Sequence, residues 1–442
     1  MPRLATAILA ALLAVLAVPA VAAAASRKPC RLGASGGPKC TFWNAKATFI
    51  ADGDTIKADI AGDGTSRPKL IRFTGINTME LSRYSSNPRN RRGACHGLEA
   101  TSLVERYVKR SHWRVKLAAQ HASSRTGKRL RRSVWVRSGG RWVDLARILI
   151  EQGHALWLSN PDEWAHNAEY RALAEQAAAR QINLYDPDFC GAGPSPEAQL
   201  RVSVNWDADG NDERNRNGEW VDVRNLGPAP VPIGGWWVRD SYLIKNARGV
   251  PGFEFPAGAV VPAGGAIRLH VGCGEARPTR FYWCQPSTVF ENVNPRDDSG
   301  DGAYLFDPQG DLRAAGIYPC TVACNDPLKG VLQLSVRPTT PESIAVTNVS
   351  NAPVGLAGYL VKLHLNGEAN RFIFGYAFDA DDQLGPGEQF TLMMDGARGG
   401  DGRLVRHLDR GAYVLADGGN VVSLRSASDV VLDCIDWGRR HC

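Results

Sequence analysis

Hydrophobic positions between residues 40 and 190 switch between two periods. Alternation with period two predicts five strands, and spacings of three and four predict three helices. The strands cover 41–50, 55–60, 69–76, 113–117 and 133–136, and the helices cover 98–108, 145–152 and 163–181. Asp144 suits the N-cap of the second helix, which should stop at Gly153. This pattern indicates an α+β unit, compatible with a small barrel that carries helices.

Beyond residue 197 the pattern changes to short alternating strands without amphipathic helices, which is typical of a β-sandwich. Val223-x-Asn225 followed by Gly235-Trp236 recurs as Val346-x-Asn348 followed by Gly358-Tyr359, at a constant offset of 123 residues. Two sandwiches of similar size are therefore expected. The predicted units are 40–190, a Gly- and Pro-rich linker at 191–197, 198–320 and 325–440. Such a linker predicts that the first unit can be cut away from the rest.

The N-terminus and the cysteines indicate export. Residues 1–25 combine a short basic start, an Ala/Leu/Val run and small residues suited to cleavage, as in a secretory signal peptide. Later segments are not apolar enough to span a bilayer. The ten cysteines are an even number, which fits disulfides in a secreted, extracellular protein. Cys95–Cys190 is the pair expected to close the first unit, and the remaining connectivity stays open.

The formal charge of +7 is unevenly distributed. From Lys109 to Arg141 there are eleven Lys or Arg residues and no Asp or Glu, and a further basic loop contains Arg83, Arg89, Arg91 and Arg92. A field of one sign is typical of a surface that meets a polyanion such as DNA or RNA. The expected nucleic-acid-binding residues are Lys109, Arg110, Arg125, Lys128, Arg131 and Arg132.

Candidate catalytic chemistry lies in four short motifs. Asp52-Gly53-Asp54-Thr55 precedes a strand, and a run from Arg72 to Glu80 follows; Gly97-Leu98-Glu99-Ala100 opens a helix, and Gly127-Lys128-Arg129-Leu130 precedes another strand. Oxygen ligands with two arginines suit phosphodiester hydrolysis. A hard cation polarises the phosphate, a carboxylate orients water, and guanidinium groups stabilise charge on the phosphoryl oxygens.

In these motifs, residues 40–190 resemble the staphylococcal nuclease (thermonuclease) family. The resemblance implies an OB-type five-stranded barrel with three helices and a calcium-assisted nuclease of DNA, RNA or both that leaves 3′-phosphate ends. It implies that Asp54, Asn77 and the main-chain carbonyl of Thr78 bind Ca²⁺. It further implies that Glu80 positions water or acts as the general base, and that Arg72 and Arg129 bind phosphate.

Three departures from the family pattern bear on the expected site. Asn77 stands where the family has a second calcium-binding Asp, so weaker or altered metal dependence is expected. Met79 replaces a proline, which changes loop stiffness. The family's Tyr-Gly-Arg element is replaced by Gly127-Lys128-Arg129, which removes an aromatic that stacks on the nucleotide. Arg125 and Arg131 therefore remain alternatives to Arg129.

The repeated β units resemble the lamin-tail family, which implies immunoglobulin-like sandwiches. The residues that carry the resemblance in the first copy are Asn225, Gly235-Trp236, Phe253-x-Phe255-Pro256, Pro262-x-Gly264-Gly265 and Asp301-Gly302-x-Tyr304-x-x-Asp307-Pro308. The second copy matches more loosely. The alternative to a secreted nuclease is an extracellular nucleic-acid-binding protein whose nuclease domain is weakened or inactive; no obligate protein partner is evident.

Overall fold

This computed structural model describes residues 28–34, 36–81, 94–126, 128–191, 193–208, 210–242, 252–294, 296–322, 324–364, 372–394, 400–408, 414–426, 428–438 and 442. The signal peptide expected at 1–25, the basic loop around Arg83 and Arg92, and Gly127 lie outside the described residues. None of the described helices is long and apolar enough to cross a membrane.

The N-terminal unit is a closed barrel of five strands with three α-helices, which confirms the α+β expectation over the part of the chain described. Its elements are β1 (Arg31–Leu32), β2 (Pro38–Lys39), β3 (Trp43–Ile50), β4 (Thr55–Ile60), β5 (Lys69–Phe73), β6 (Ile76–Asn77), α1 (Ala94–Arg110), β7 (Arg114–Ala118), β8 (Arg125–Thr126), β9 (Arg129–Ser138), β10 (Arg141–Asp144), α2 (Leu145–Glu151), β11 (Leu156–Trp157) and α3 (Asn167–Ala179). The barrel closes in the order β3-β4-β5-β9-β7-β3. Only the β5–β9 pair among these is parallel.

The predicted cap of α2 is present. The Asp144 carboxylate accepts a hydrogen bond from the main-chain N–H of Ala146, as an N-cap residue should. The chain then turns at Gly153, where φ is +68° and an added Cβ would lie 2.5 Å from the carbonyl oxygen of Ile182. A side chain is excluded there both by the left-handed conformation and by the close approach.

The rest of the chain consists of β-sandwiches. The first contains β12 (Leu200–Asn205), β13 (Trp220–Asn225), β14 (Val231–Pro232), β15 (Trp237–Arg239), β16 (Phe253–Glu254), β17 (Val260–Val261), β18 (Ala266–His270), β19 (Arg280–Tyr282), β20 (Asp301–Phe306) and β21 (Leu312–Tyr318). The second contains β22 (Leu332–Arg337), β23 (Ser343–Asn348), β24 (Val354–Gly355), β25 (Tyr359–His364), β26 (Phe372–Ala377), β27 (Gln383–Leu384), β28 (Gln389–Met393), β29 (Val405–His407), β30 (Val421–Ser426) and β31 (Val431–Asp436).

The two sandwiches have the same topology. Strand orders β12-β13-β18-β19 and β16-β15-β20-β21 in the first become β22-β23-β28-β29 and β26-β25-β30-β31 in the second. The repeated asparagines play equivalent roles: Asn225 Nδ2 donates to the carbonyl of Ala229 at 2.7 Å, and Asn348 Nδ2 to that of Ala352 at 2.8 Å. The sequence repeat is therefore a structural repeat.

Each sandwich uses one equivalent strand to contact the unit before it. In β15, Val238 points into its own sandwich, whereas Trp237 joins the hydrophobic core of the barrel unit. In β25, Val361 points into its own sandwich, whereas Leu360 packs on Trp220 of the first sandwich. Period-two alternation thus gives each strand one face for its own core and one for its neighbour.

The barrel and the first sandwich share one hydrophobic core. Tyr304, Phe306, Leu312 and Ile317 of β20 and β21 lie in the same buried cluster as the barrel residues. The separable first unit that the linker suggests is therefore packed against its neighbour, since the linker's composition carries no information about what the flanking units bury.

Five disulfides cover the ten cysteines. Besides the expected Cys95–Cys190 pair, the bonds are Cys30–Cys40, Cys273–Cys284, Cys320–Cys324 and Cys434–Cys442. The two described groups of three close metal-ligating residues, Cys95/His96/Cys190 and Glu175/Cys320/Cys324, both contain one of these disulfides. Their sulfur atoms are therefore bonded to one another and are not thiolate ligands.

Candidate active site

A cleft at one end of the barrel brings together motifs that are far apart in sequence. Its lining includes Arg72, Asn77, Glu80, Arg129, Arg131 and Tyr242. The enclosed space of the cleft is about 40 Å³, which is room for an ion or a few water molecules. A nucleotide would therefore have to lie across the open side of the cleft.

Asp54 is the most connected carboxylate of the site. It is 1% exposed, and its Oδ2 accepts hydrogen bonds from the main-chain N–H of Thr78 at 2.8 Å and from the Thr78 hydroxyl at 3.1 Å. Its Oδ1 accepts from the Thr55 hydroxyl at 3.0 Å and forms an ion pair with Arg72. These contacts tie the turn between β3 and β4 to the segment after β6.

Arg72 bridges two of the predicted metal ligands. Its Nη1 donates to Asp54 Oδ1, and its Nη2 donates to Asn77 Oδ1 at 2.8 Å. Arg72 as a whole is only 9% exposed, so these charge-assisted hydrogen bonds are shielded from water. The predicted phosphate-binding arginine is at the site, with its donors directed at Asp54 and Asn77.

Three carboxylates lie within one another's field. Burial, followed by the charge of Asp54, raises the pKa of Asp52 to about 8. Burial and the charge of Asp54 also raise the pKa of Glu80, against the opposing effects of Arg72, Arg129 and Arg239. A general base becomes more effective with such a shift, because its pKa moves towards neutral pH. Asp52 was not assigned a role from the sequence, although it is the first residue of the motif that contains Asp54.

Glycines set the distance between this acidic turn and its neighbours. A Cβ on Gly53 would lie 2.6 Å from Ala100 Cβ, and a Cβ on Gly97 would lie 2.6 Å from the carbonyl oxygen of Met79. Both values are shorter than real side chains allow, so α1 packs directly on the Asp52–Asp54 turn and on the Met79–Glu80 backbone. Gly97, inside the first turn of α1, therefore lets the helix approach the main chain of Glu80.

The two predicted arginine alternatives occupy different environments. Arg129 lines the cleft and acts on the pKa of Glu80, whereas Arg125 is exposed on β8. Arg131 also lines the cleft, but its Nε donates to the buried Glu163 at 2.8 Å. Of the three arginines, Arg129 thus lines the cleft without a described ion pair in the barrel, whereas Arg131 is paired and Arg125 is exposed outside the lining.

The basic stretch from Lys109 to Arg141 is only partly exposed at the protein surface. Lys109, Arg110, Arg125 and Lys128 are exposed. Arg132 is 9% exposed and donates to the carbonyls of Ser124 and Arg131, so it does not lie on the exposed basic face where the sequence placed it. Arg132 and the next residue, Ser133, are both buried on β9, and Arg131 pairs with the buried Glu163, so a count of charges overstates the exposed basic surface.

One wall of the cleft comes from the first sandwich. Asn77 Nδ2 donates to the main-chain carbonyl of Ser241 at 2.7 Å, and Arg239 Nη2 donates to the same carbonyl at 2.9 Å. Arg239 Nη1 lies 3.7 Å from Met79 Sδ. Arg239 is 1% exposed, and its burial lowers its pKa to about 10. No local motif pointed to these residues, because their role comes from a contact across 164 positions.

The donor set at the cleft fits a hard cation in kind. Asp54, the side-chain oxygen of Asn77 and the backbone of Thr78 supply oxygen, which Ca²⁺ prefers. The raised pKa of Asp52 reflects partly the excess of negative charge that a cation would offset. An ion at Asp54 would compete with Arg72 for the carboxylate.

Comparison with known proteins identifies part of the chain. No curated protein matches it. Residues 194–318 match the family model of the Lamin Tail Domain. This range contains β12 to β21, the sandwich that packs on the barrel. The first of the two β-sandwiches is thus a lamin tail domain, which has an immunoglobulin-like fold.

Proposed function

We propose that this protein is a secreted, calcium-assisted nuclease that hydrolyses phosphodiester bonds of DNA, RNA or both. The observation that carries the proposal is the cleft in which Glu80 lies among Arg72, Arg129 and Arg239, next to Asp52 and Asp54. A carboxylate of raised pKa beside several guanidinium groups suits activation of water against a phosphate whose charge increases in the transition state. Export is supported by the N-terminal sequence and the five disulfides.

The roles follow from position. Glu80 orients or deprotonates the attacking water, and Arg129, which makes no described ion pair within the barrel unit, holds the phosphate. Arg72 stabilises the same phosphate when its bonds to Asp54 and Asn77 are exchanged for it. Asp54, Asn77 and Thr78 would hold Ca²⁺, which would supply polarisation of the phosphate. The OB-type assignment of the barrel, the 3′-phosphate products and a lamin-tail assignment of the second sandwich belong to the same proposal.

The decisive experiment uses the full mature chain on plasmid and on single-stranded DNA or RNA, with calcium and with chelator. Wild type should cut in calcium, and Glu80→Gln should lose at least about 100-fold in turnover while oligonucleotide affinity changes little. Glu275→Gln, at an exposed glutamate of the first sandwich, is the matched control. Loss of less than about tenfold in Glu80→Gln would remove Glu80 from the mechanism.

A second candidate function is binding without cleavage. The ion pair between Arg72 and Asp54 favours it, because in this arrangement neither group is free for phosphate or metal. Under that alternative, exposed Lys109, Arg110, Arg125 and Lys128 would still give oligonucleotide binding that weakens log-linearly with added salt. Salt-dependent binding with no cleavage in calcium would establish this candidate over the nuclease.

A further inference from the structure

The first sandwich contributes more to the cleft than contact area. Tyr242 belongs to the lamin tail domain, yet it lines the same cleft as Arg72, Glu80 and Arg129. It follows β15 by three residues and is partly exposed. An aromatic side chain beside guanidinium groups is the combination that proteins use for single-stranded nucleic acid, with bases stacked on the ring and phosphates held by arginine.

The backbone that carries Tyr242 is fixed from both sides. On the barrel side, the carbonyl of Ser241 accepts from Asn77. On the sandwich side, the N–H of Ser241 donates to Asp301 Oδ1 at 3.1 Å, and Arg239 Nε donates to the carbonyl of Asp240 at 2.8 Å. The position of Tyr242 relative to Glu80 is thus determined by a domain contact with buried polar partners. A ring on a backbone anchored in this way loses less conformational freedom on binding than a ring on a free loop.

We infer that Tyr242 is a nucleobase-binding residue and that the lamin tail domain therefore supplies part of the substrate site. The inference rests on the proposed function for the chemistry of the neighbouring cleft. The ligand is an unpaired base of a DNA or RNA strand whose phosphate lies at Arg129. Because every base has an aromatic face, this contact favours single-stranded or frayed substrate and does not select a sequence.

The test measures binding separately from cleavage, in full-length protein carrying Glu80→Gln. A fluorescent single-stranded oligonucleotide is titrated against this protein, and against versions with Tyr242→Ala, Tyr242→Phe or Tyr282→Ala added. Tyr282 is a tyrosine of the same domain that stacks on His270 away from the cleft, so it serves as the matched control. Circular dichroism and thermal unfolding establish that each variant is folded.

Tyr242→Ala should weaken binding about tenfold, which is the usual loss for one stacked base, whereas Tyr242→Phe and Tyr282→Ala should stay within about twofold. The loss should shrink when the oligonucleotide carries an abasic position in the cleft. Equal affinity of Tyr242→Ala and Tyr282→Ala would overturn the inference, and so would an equal loss in Tyr242→Phe. Absence of cleavage by wild type would contradict the proposed nuclease activity. It would not affect this binding test, because the test does not measure cleavage.

Discussion

The side-chain amide of Asn77 donates a 2.7 Å hydrogen bond to the main-chain carbonyl of Ser241 and so joins the cleft end of the barrel to the lamin tail domain. An aspartate could not donate this bond. An asparagine at position 77 therefore has a structural reason, because its amide accepts from Arg72 with its oxygen and donates to Ser241 with its nitrogen.

Asn77→Asp should lower the free energy of unfolding by about 1–2 kcal/mol, since a buried carbonyl loses a donor and faces a carboxylate. The same change adds a negative oxygen ligand, so cleavage should half-saturate at lower calcium. Chemical denaturation and a calcium titration of cleavage rate measure the two effects. Asn183→Asp, which removes a 2.7 Å bond to the carbonyl of Gln152 away from the cleft, is the control. Unchanged unfolding together with coincident calcium curves would contradict both roles.

Arg129 and Arg125 provide a direct test of which arginine meets the phosphate. Arg129→Ala should reduce cleavage by about 100-fold, because it removes a guanidinium that faces Glu80 across the cleft. Arg125→Ala, on the exposed β8, should cost less than about threefold and act through substrate affinity. Steady-state kinetics on single-stranded DNA separates the two effects. The reverse ranking would show that the phosphate lies nearer to β8.

Acid should weaken the contact between the barrel and the sandwich through His96. This side chain is 2% exposed, its Nε2 donates to the carbonyl of Gly310 at 3.1 Å, and burial lowers its pKa to about 4. The unfolded chain takes up the proton near pH 6.5, whereas the folded protein resists until about pH 4. The contribution of neutral His96 to the free energy of unfolding is therefore fully present above pH 6.5. It is lost as the pH falls towards 4, by up to about 3 kcal/mol.

His96→Gln keeps a donor for Gly310 and does not titrate, so its unfolding free energy should fall less steeply between pH 6.5 and 4 than that of wild type. Urea unfolding at four pH values in this window gives both slopes. His121→Gln, at an exposed histidine, should follow wild type. Parallel curves for wild type and His96→Gln would show that other groups govern the acid response.

Truncation should distinguish the two domain boundaries. A chain ending at Gly193 would expose the barrel surface that now packs on Trp237, Tyr304 and Phe306, and should aggregate or unfold at lower temperature. A chain ending at Asp326 keeps that contact and should remain folded with an intact cleft. Light scattering, thermal unfolding and oligonucleotide binding compare the two. A stable, fully binding fragment ending at Gly193 would mean that the shared core is dispensable.

Local features of this protein were accessible from the sequence. The strand at Thr55–Ile60 has the predicted bounds, and Asp144 caps α2 as expected, because alternation and capping depend on neighbouring residues. The sequence also pointed to barrel residues that line the cleft, such as Arg72, Glu80 and Arg129, because each lies in a short motif of neighbouring residues. Arg239, Ser241 and Tyr242 were missed because a contact between β15 and the barrel leaves no periodic or compositional signal. The burial of Arg132 was missed because a basic run does not show which side chains face inward.

Because β15 and β25 are used in the same way, the contacts between units all run in one sense along the chain. Each sandwich contacts the unit before it through the same outward strand face, so the contact is heterologous and repeats by displacement along the chain, without a two-fold axis. The two contacts differ in extent: the barrel and the first sandwich share one hydrophobic core, whereas the second sandwich adds to this pair through the contact of Leu360 with Trp220. Loss of the second sandwich would expose Trp220 and leave the cleft complete. Loss of the first sandwich would remove one wall of the cleft and the surface on which the second sandwich packs. Evolutionary gain or loss of units is therefore least costly at the C-terminal end.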